Sequence, residues 1–138
     1  MTKLVRKHNP QLLFLIETKR KSAEMEWLRS RWHFDCCLAV DYVGRGGGLA
    51  LLWMNRAMVQ IRSYSCMHID ANIGDVNMGE TWRFTGFYGS PEVSQRTMSW
   101  DLLLQIHSQS TMPWLFVGDF NEITCDAEKL GRALRPIR

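Results

Sequence analysis

The stretch from Pro113 to Glu122 reads Pro-Trp-Leu-Phe-Val-Gly-Asp-Phe-Asn-Glu, and it joins a candidate core strand to a candidate site. Four apolar residues follow Pro113 and stop at Gly118, which is typical of a short strand rather than a helix. A continuous apolar run predicts a strand that is buried on both faces, inside a sheet covered by other layers. Such a strand would deliver Asp119 and Asn121 to the rim of that sheet.

Asp119 and Asn121 are two residues apart, and side chains at this spacing along a strand point the same way. A carboxylate and a carboxamide placed together could hold a water molecule or a divalent ion against a phosphate. Gly, Asp and Asn are also common turn residues, each for a local reason. The pattern taken alone favours the turn and leaves the site as the second interpretation.

The composition predicts one globular domain. The chain has 138 residues, of which 46% are hydrophobic and 22% are charged, and its net charge of +3 permits nucleic acid as a partner without arguing for it. The four cysteines (Cys36, Cys37, Cys66 and Cys125) form no Cys-x-x-Cys pair, so we expect reduced thiols and no zinc site. The sequence shows no apolar leader and no apolar run of membrane length, which favours a nuclear or cytoplasmic protein that is not secreted.

Hydrophobic periodicity predicts strands that interleave with helices. Helices are expected over residues 2–8, 23–31 and 93–108; strands are expected over residues 11–16, 34–40, 49–54, 58–64, 68–72 and 82–88, besides the strand before Gly118. This order predicts an α/β fold, a sandwich of mixed sheets with helices outside. The glycines from Gly44 to Gly48 lack the Gly-Lys-Ser/Thr of a phosphate-binding loop, and we expect a flexible turn there.

Two of the apolar strands end in an acid. Glu17 follows the strand Leu12–Ile16, and Asp119 follows the run Leu115–Val117. If the two sheets pack together, both acids could reach one cleft. Two nearby carboxylates repel each other, and a divalent cation relieves that repulsion.

Four motifs occur in the order seen in endonuclease/exonuclease/phosphatase domains, which this chain resembles. They are Leu15-Ile16-Glu17-Thr18-Lys19, Gly47-Gly48-Leu49-Ala50-Leu51-Leu52-Trp53, Phe87-Tyr88-Gly89 and Gly118-Asp119-Phe120-Asn121. Their wording is most similar to the endonuclease domains of plant LINE-type, non-LTR retrotransposons. The resemblance runs from about Lys7 to Lys129.

The resemblance implies a four-layered α/β sandwich and hydrolysis of phosphodiester bonds in DNA that depends on Mg²⁺ or Mn²⁺. It implies that Glu17 binds the metal and that Asp119 orients or deprotonates the attacking water. Asn121 would support the phosphate and the water, and Tyr88 would lie beside the scissile phosphate. Mg²⁺ prefers oxygen ligands and keeps several waters, so one carboxylate and the phosphate oxygens suit it.

Departures from the family pattern lead us to expect that residues 1–138 are a truncated domain, inactive as a fragment. The family's first strand with its Asn, a second Asp and a Ser-Asp-His motif have no counterpart here, and Glu128-Lys129-Leu130-Gly131-Arg132 departs from Glu-Lys-x-Gly-Gly.

Two alternatives stay open: a phosphatase or exonuclease of the same superfamily, and a non-catalytic nucleic-acid-binding or interaction module that uses the basic loop Lys19-Arg20-Lys21. We expect Arg83 and Arg96 to be surface charges, and we expect no membrane partner. The sequence does not indicate the oligomeric state.

Overall fold

The computed structural model describes residues 2–44 and 46–122. These residues form helices α1 (Thr2–His8), α2 (Ser22–Arg31) and α3 (Arg96–Ser108), and strands β1 (Leu12–Ile16), β2 (Cys36–Val40), β3 (Leu49–Trp53), β4 (Val59–Ser65), β5 (His68–Asp75), β6 (Glu80–Tyr88) and β7 (Trp114–Asp119). The helix expected over 93–108 begins as a 3₁₀ turn and becomes α-helical at Arg96. Cys125 and the segment Glu128–Arg132 lie outside the described residues.

The strands form two sheets. The first has the order β1-β3-β2, and all its pairs are antiparallel. The second has the order β4-β5-β6-β7, in which β7 runs parallel to β6. A parallel neighbour requires a crossover connection, and α3 provides it.

The two sheets pack face to face, and helices cover their outer faces. Between the sheets, Leu49 and Leu51 of β3 meet Ile69, Ala71 and Phe84 of the second sheet. On the other side of β3, the alternate residues Ala50 and Leu52 pack beneath α1 and α2 against a cluster made of Val5, Met25, Trp32 and Phe34. α3 covers the outer face of the second sheet. The layers are helices, sheet, sheet and helix, which confirms the predicted α/β sandwich.

The prediction that the strand before Gly118 is buried on both faces is wrong. Leu115 and Val117 of β7 are 52% and 44% exposed, whereas every residue of β3 is buried. Leu115 lies beside Phe84 and shares its inward face. β1 lies over β6, where the Phe14 ring packs against Phe84 at 5.7 Å, and the described part of the first sheet ends there. An apolar run indicates a strand, but the extent of the opposite sheet decides whether both faces are covered.

The expectation that Arg83 is a surface charge is also wrong. Its side chain is 1% exposed and donates from Nε and Nη2 to the two carboxylate oxygens of Asp70, each at 2.8 Å. Its Nη1 donates to the carbonyl of Ile106 in α3 at 2.7 Å. Buried charges occur when they are paired and hydrogen-bonded, and this pair joins β5, β6 and α3.

No helix in the described ranges 2–44 and 46–122 is long and apolar enough to cross a membrane.

Candidate active site

Glu17 stands where β1 ends, and the glycine loop holds the backbone that follows it. Glu17 and Lys19 have left-handed φ angles of +50° and +48°. The amides of Thr18 and Lys19 donate to the carbonyls of Gly48 and Gly47, each at 3.2 Å. Gly48 has φ +87°, and a Cβ there would lie 2.5 Å from Thr18 Oγ1, so only glycine fits. The interpretation as a flexible turn missed this role, although a glycine pair directly before a buried strand is a signal for close approach.

Tyr88 lies at the end of β6, where it contacts Glu17 and neighbours Asp119 in the sheet. Its hydroxyl donates to Glu17 Oε1 at 2.6 Å, and Asp119 is its register partner on β7. The hydrogen bond to Glu17, together with burial and the negative charges of Glu17 and Asp119, raises the pKa of Tyr88 to about 12, against an opposing hydrogen bond from Asn121. The phenol therefore stays protonated at neutral pH.

Asp119 and Asn121 form a turn, and that turn belongs to the candidate site. The Asn121 amide donates to Asp119 Oδ1 at 2.9 Å, which is the usual Asx turn, and Asn121 has a left-handed φ of +49°. The Asn121 side chain donates from Nδ2 to the carbonyl of Gly89 at 2.8 Å, and the Gly89 amide donates to the Asp119 carbonyl at 2.7 Å. The two interpretations of this pattern are thus compatible, because the turn positions both side chains beside Tyr88.

The first turn of α3 binds the segments that leave β6 and β7. Arg96 Nη1 lies 3.4 Å from Glu122 Oε1, and these side chains are 15% and 14% exposed, so the expectation of a surface charge at Arg96 is wrong. Ser99 Oγ accepts the amide of Ser90 at 3.1 Å. The sequence interpretation missed Ser99 and Glu122, since single polar residues carry no spacing signal.

The side chains around Tyr88 offer oxygen donors, the type of ligand that a hard divalent cation prefers. Within residues 2–44 and 46–122, no cluster of three or more His, Cys, Asp or Glu residues could hold a metal ion. The two carboxylates that act on Tyr88, Glu17 and Asp119, are both exposed. Tyr88 binds one oxygen of Glu17, and Asn121 binds one oxygen of Asp119. An oxygen set with few carboxylates suits Mg²⁺, which keeps several waters, and does not suit zinc.

The Endonuclease/Exonuclease/phosphatase family matches residues 1–135 of the chain. The chain belongs to this family. The match confirms the family predicted from the four motifs, and divalent-metal dependence is general among its members. No protein of curated function matches the chain by sequence.

Solved structures show the same fold at low sequence identity. The human Nocturnin catalytic domain with bound sulfate superposes with a TM-score of 0.60 at 14% identity, over 88% of this chain and 55% of that one. D. rerio TDP2 complexed with a single-strand DNA product superposes with a TM-score of 0.59 at 17% identity, over 91% of this chain and 54% of that one. ANGEL2, a 2′,3′-cyclic phosphatase, in complex with adenosine-2′,3′-vanadate, superposes with a TM-score of 0.59 at 15% identity, over 89% of this chain and 43% of that one. The chain spans about half the length of these structures.

Proposed function

We propose that Glu17, Tyr88, Asp119 and Asn121 are part of a site for Mg²⁺-dependent phosphodiester hydrolysis in DNA. The observation that carries this proposal is the Tyr88 hydroxyl, which donates to Glu17 at 2.6 Å. This hydrogen bond, then burial and the charges of Glu17 and Asp119, raise the pKa of Tyr88. Three strand ends, those of β1, β6 and β7, supply these groups. The order and wording of the four motifs support an origin among the plant LINE-type endonucleases.

Each side chain has a chemical role in this proposal. Glu17 would hold the cation, which when bound supplies Lewis acidity at a phosphoryl oxygen. Asp119 takes the proton of the attacking water as a general base, and the side-chain carboxamide of Asn121 orients that water. Tyr88 keeps its phenolic proton at neutral pH because of its raised pKa and donates it to Glu17, so it would position that carboxylate beside the scissile phosphate.

Metal binding tests the site without requiring turnover. Mn²⁺ broadens the NMR signals of nearby nuclei, so we expect it to broaden the signals of Glu17, Tyr88 and Asp119 in the wild-type chain. Glu17→Gln should remove the effect, and Glu80→Gln, a matched change of an exposed carboxylate at the opposite end of β6 from Tyr88, should leave it in place. Broadening that is unchanged in Glu17→Gln would overturn the proposed metal role.

Plasmid nicking tests the reaction. The sequence contains no Ser-Asp-His, and positioned acid–base or electrostatic groups each contribute about 10²–10⁴-fold. We therefore expect the 138-residue chain with Mg²⁺ to nick plasmid no faster than its Asp119→Asn variant. If the reading frame continues to such a motif, the longer product should nick, and Asp119→Asn should abolish the nicking. A longer product whose nicking is unaffected by Asp119→Asn would contradict the assigned role of Asp119.

A nucleic-acid-binding module without catalysis is the second candidate, and the basic loop after Glu17 favours it. Lys19 and Lys21 are exposed there, and Arg20 pairs with Glu24 at 3.2 Å. Binding of single-stranded DNA that weakens steeply with salt, needs no metal and is lost in Lys19→Gln/Lys21→Gln would support this candidate. The absence of binding at low salt would remove it.

A phosphatase or exonuclease activity of the same superfamily is the remaining alternative, and the likeness to ANGEL2 motivates it. Release of phosphate from a nucleotide end by the longer product, with intact circular plasmid left uncut, would favour this alternative over an endonuclease.

A further inference from the structure

A cleft of about 560 Å³ lies beside the candidate active site and shares Tyr88 with it. Its walls come from the glycine loop at Gly46–Gly48, from the turn at Cys66–Met67 between β4 and β5, and from the segment Ser90–Met98. This volume lies within the range of roughly 300–1,000 Å³ found for small-molecule sites. Apart from Tyr88, no residue that lines the cleft has a role in the proposed reaction.

The walls of the cleft are mainly apolar and adaptable. Val43 and Met98 are 78% and 61% exposed although both are large apolar side chains, and Met67 also lines the wall. Methionine side chains adjust to irregular ligands. A Cβ added at Gly46 or Gly47 would meet nothing within 4 Å, so the peptide planes of the loop are open to a flat group.

Asp41 and Glu92 contribute carboxylates to the described wall of the cleft. Asp41 accepts the Ser22 amide at 2.7 Å and lies 3.9 Å from Lys21 Nζ, so its charge is partly balanced. Glu92 remains as an exposed acid, which favours neutral groups that carry hydrogen-bond donors.

We infer that this cleft binds a nucleobase of the nucleotide whose phosphate lies at Tyr88. The inference rests on the proposed function, because the phosphate position at Tyr88 comes from it. A nucleobase is flat, uncharged and carries donors on its edge, which matches the apolar walls, the open glycine loop and the acidic rim. Tyr88 belongs to both sites, so one nucleotide could occupy them together.

Methionine-methyl NMR tests the inference on the wild-type chain. With ¹³C-methyl methionine and EDTA present, adenosine at millimolar concentration should shift the methyl signals of Met67 and Met98. The methyl of Met78, which is 73% exposed in the β5–β6 loop outside the cleft, should not move. Ribose 5-phosphate, which has the sugar and phosphate without the base, should leave all three in place. Unmoved Met67 and Met98 signals, or equal shifts with ribose 5-phosphate, would overturn the inference.

A matched pair of variants gives the second readout. Met98→Ala should weaken adenosine binding about fivefold through lost apolar contact, and Met78→Ala should leave it unchanged. An equal change in adenosine affinity in the two variants would contradict binding in the cleft. The two proposals can fail separately, because adenosine has no phosphate. If only the proposed function is wrong, Mn²⁺ should not broaden the Glu17 signal while adenosine still shifts the methyl signals. If only the nucleobase site is wrong, Mn²⁺ should broaden the Glu17 signal and adenosine should not shift the methyl signals.

Discussion

At the scale of single residues, Tyr88 is the group on which the candidate site converges. Its hydroxyl binds Glu17 at the end of β1, its neighbour in register is Asp119, and Asn121 reaches it from the following turn. No motif spacing could have shown this, because Glu17 and Tyr88 are 71 residues apart in the chain.

The Tyr88 contact predicts a change in titration. Glu17→Gln removes the negative acceptor that contributes most to the raised pKa of Tyr88, so that pKa should fall from about 12 toward its ordinary value of 10. Ultraviolet titration of the phenolate in EDTA measures this, with Tyr88→Phe identifying the signal. A pKa of Tyr88 that stays unchanged in Glu17→Gln would contradict the contact.

The buried side chain of His68 should make the fold less stable in mild acid. Its ring is 4% exposed and lies between the hydroxyls of Ser63 at 2.9 Å and Ser65 at 2.7 Å. Burial lowers the pKa of His68 below 6.5, although the charge of Asp70 opposes the shift. The unfolded chain therefore takes up this proton first, and the free energy of unfolding should decrease as the pH falls below about 6.5.

The substitution His68→Gln removes that titration. Urea unfolding at pH 7 and pH 5 should show a smaller acid loss in His68→Gln than in the wild-type chain. Equal losses in the two proteins would show that His68 does not contribute to the acid sensitivity.

At the scale of secondary-structure elements, buried polar contacts hold the layers in register. Asp70 on β5 accepts from Arg83 and from Thr85 on β6, and Trp114 at the start of β7 donates to Thr85 Oγ1 at 2.9 Å. This network, together with the bond from Arg83 to α3, connects four elements on the outer face of the second sheet.

Removing one charged member of this network should lower the free energy of unfolding substantially. Asp70→Ala leaves the Arg83 charge buried without its partner, so we expect a loss of about 3–5 kcal/mol in the free energy of unfolding. Arg20→Gln breaks an exposed pair whose side chains are about half exposed and should cost at most about 1 kcal/mol. Urea unfolding compares the two. A similar cost for both would contradict the importance of burial, and a double variant Asp70→Leu/Arg83→Met should recover part of the loss.

The glycine loop predicts an effect on both stability and the site. Gly48→Ala places a Cβ against Thr18 Oγ1 at a left-handed φ, so it should destabilise the fold by about 1–2 kcal/mol and disturb the Glu17–Tyr88 contact. Gly46→Ala, which meets open space at an ordinary φ, serves as the control. The Tyr88 titration should shift in Gly48→Ala and stay in place in Gly46→Ala.

At the scale of the whole molecule, one flank of the described sandwich is open. β1 and β7 are the edge strands of their sheets on that flank, and the face of β7 with Leu115 and Val117 is exposed to solvent. Unpaired strand edges beside exposed apolar side chains promote association.

The open flank predicts self-association that charges can suppress. Leu115→Lys/Val117→Lys should reduce association in sedimentation velocity and change the free energy of unfolding little, because both side chains are about half exposed. Leu104→Lys, an equally polar change at an exposed position on α3, should leave the association unchanged. Equal suppression by Leu104→Lys would point to general solubility instead of the edge.

Much of the fold could be predicted from local pattern. The run Leu12–Ile16 and the alternating residues of β6 indicated strands because burial on a pleated sheet leaves a period of two or a continuous apolar run. Arg83 was misjudged because a charge in a strand is usually exposed, and only the nearby Asp70 and Ile106 carbonyl make its burial favourable. β7 was misjudged because coverage of a strand depends on a sheet that lies far away in sequence.

The sequence by itself determined the elements, the two acids at strand ends and the family, since these depend on local periodicity and on motifs within a few residues. Only the tertiary structure decided that the Tyr88 hydroxyl binds Glu17 beside its register partner Asp119, that the glycine loop holds the end of β1, and that Leu115 and Val117 of β7 are about half exposed. Such contacts form between residues brought together by sheet packing, and their energies depend on burial and distance, which no local stretch of chain encodes.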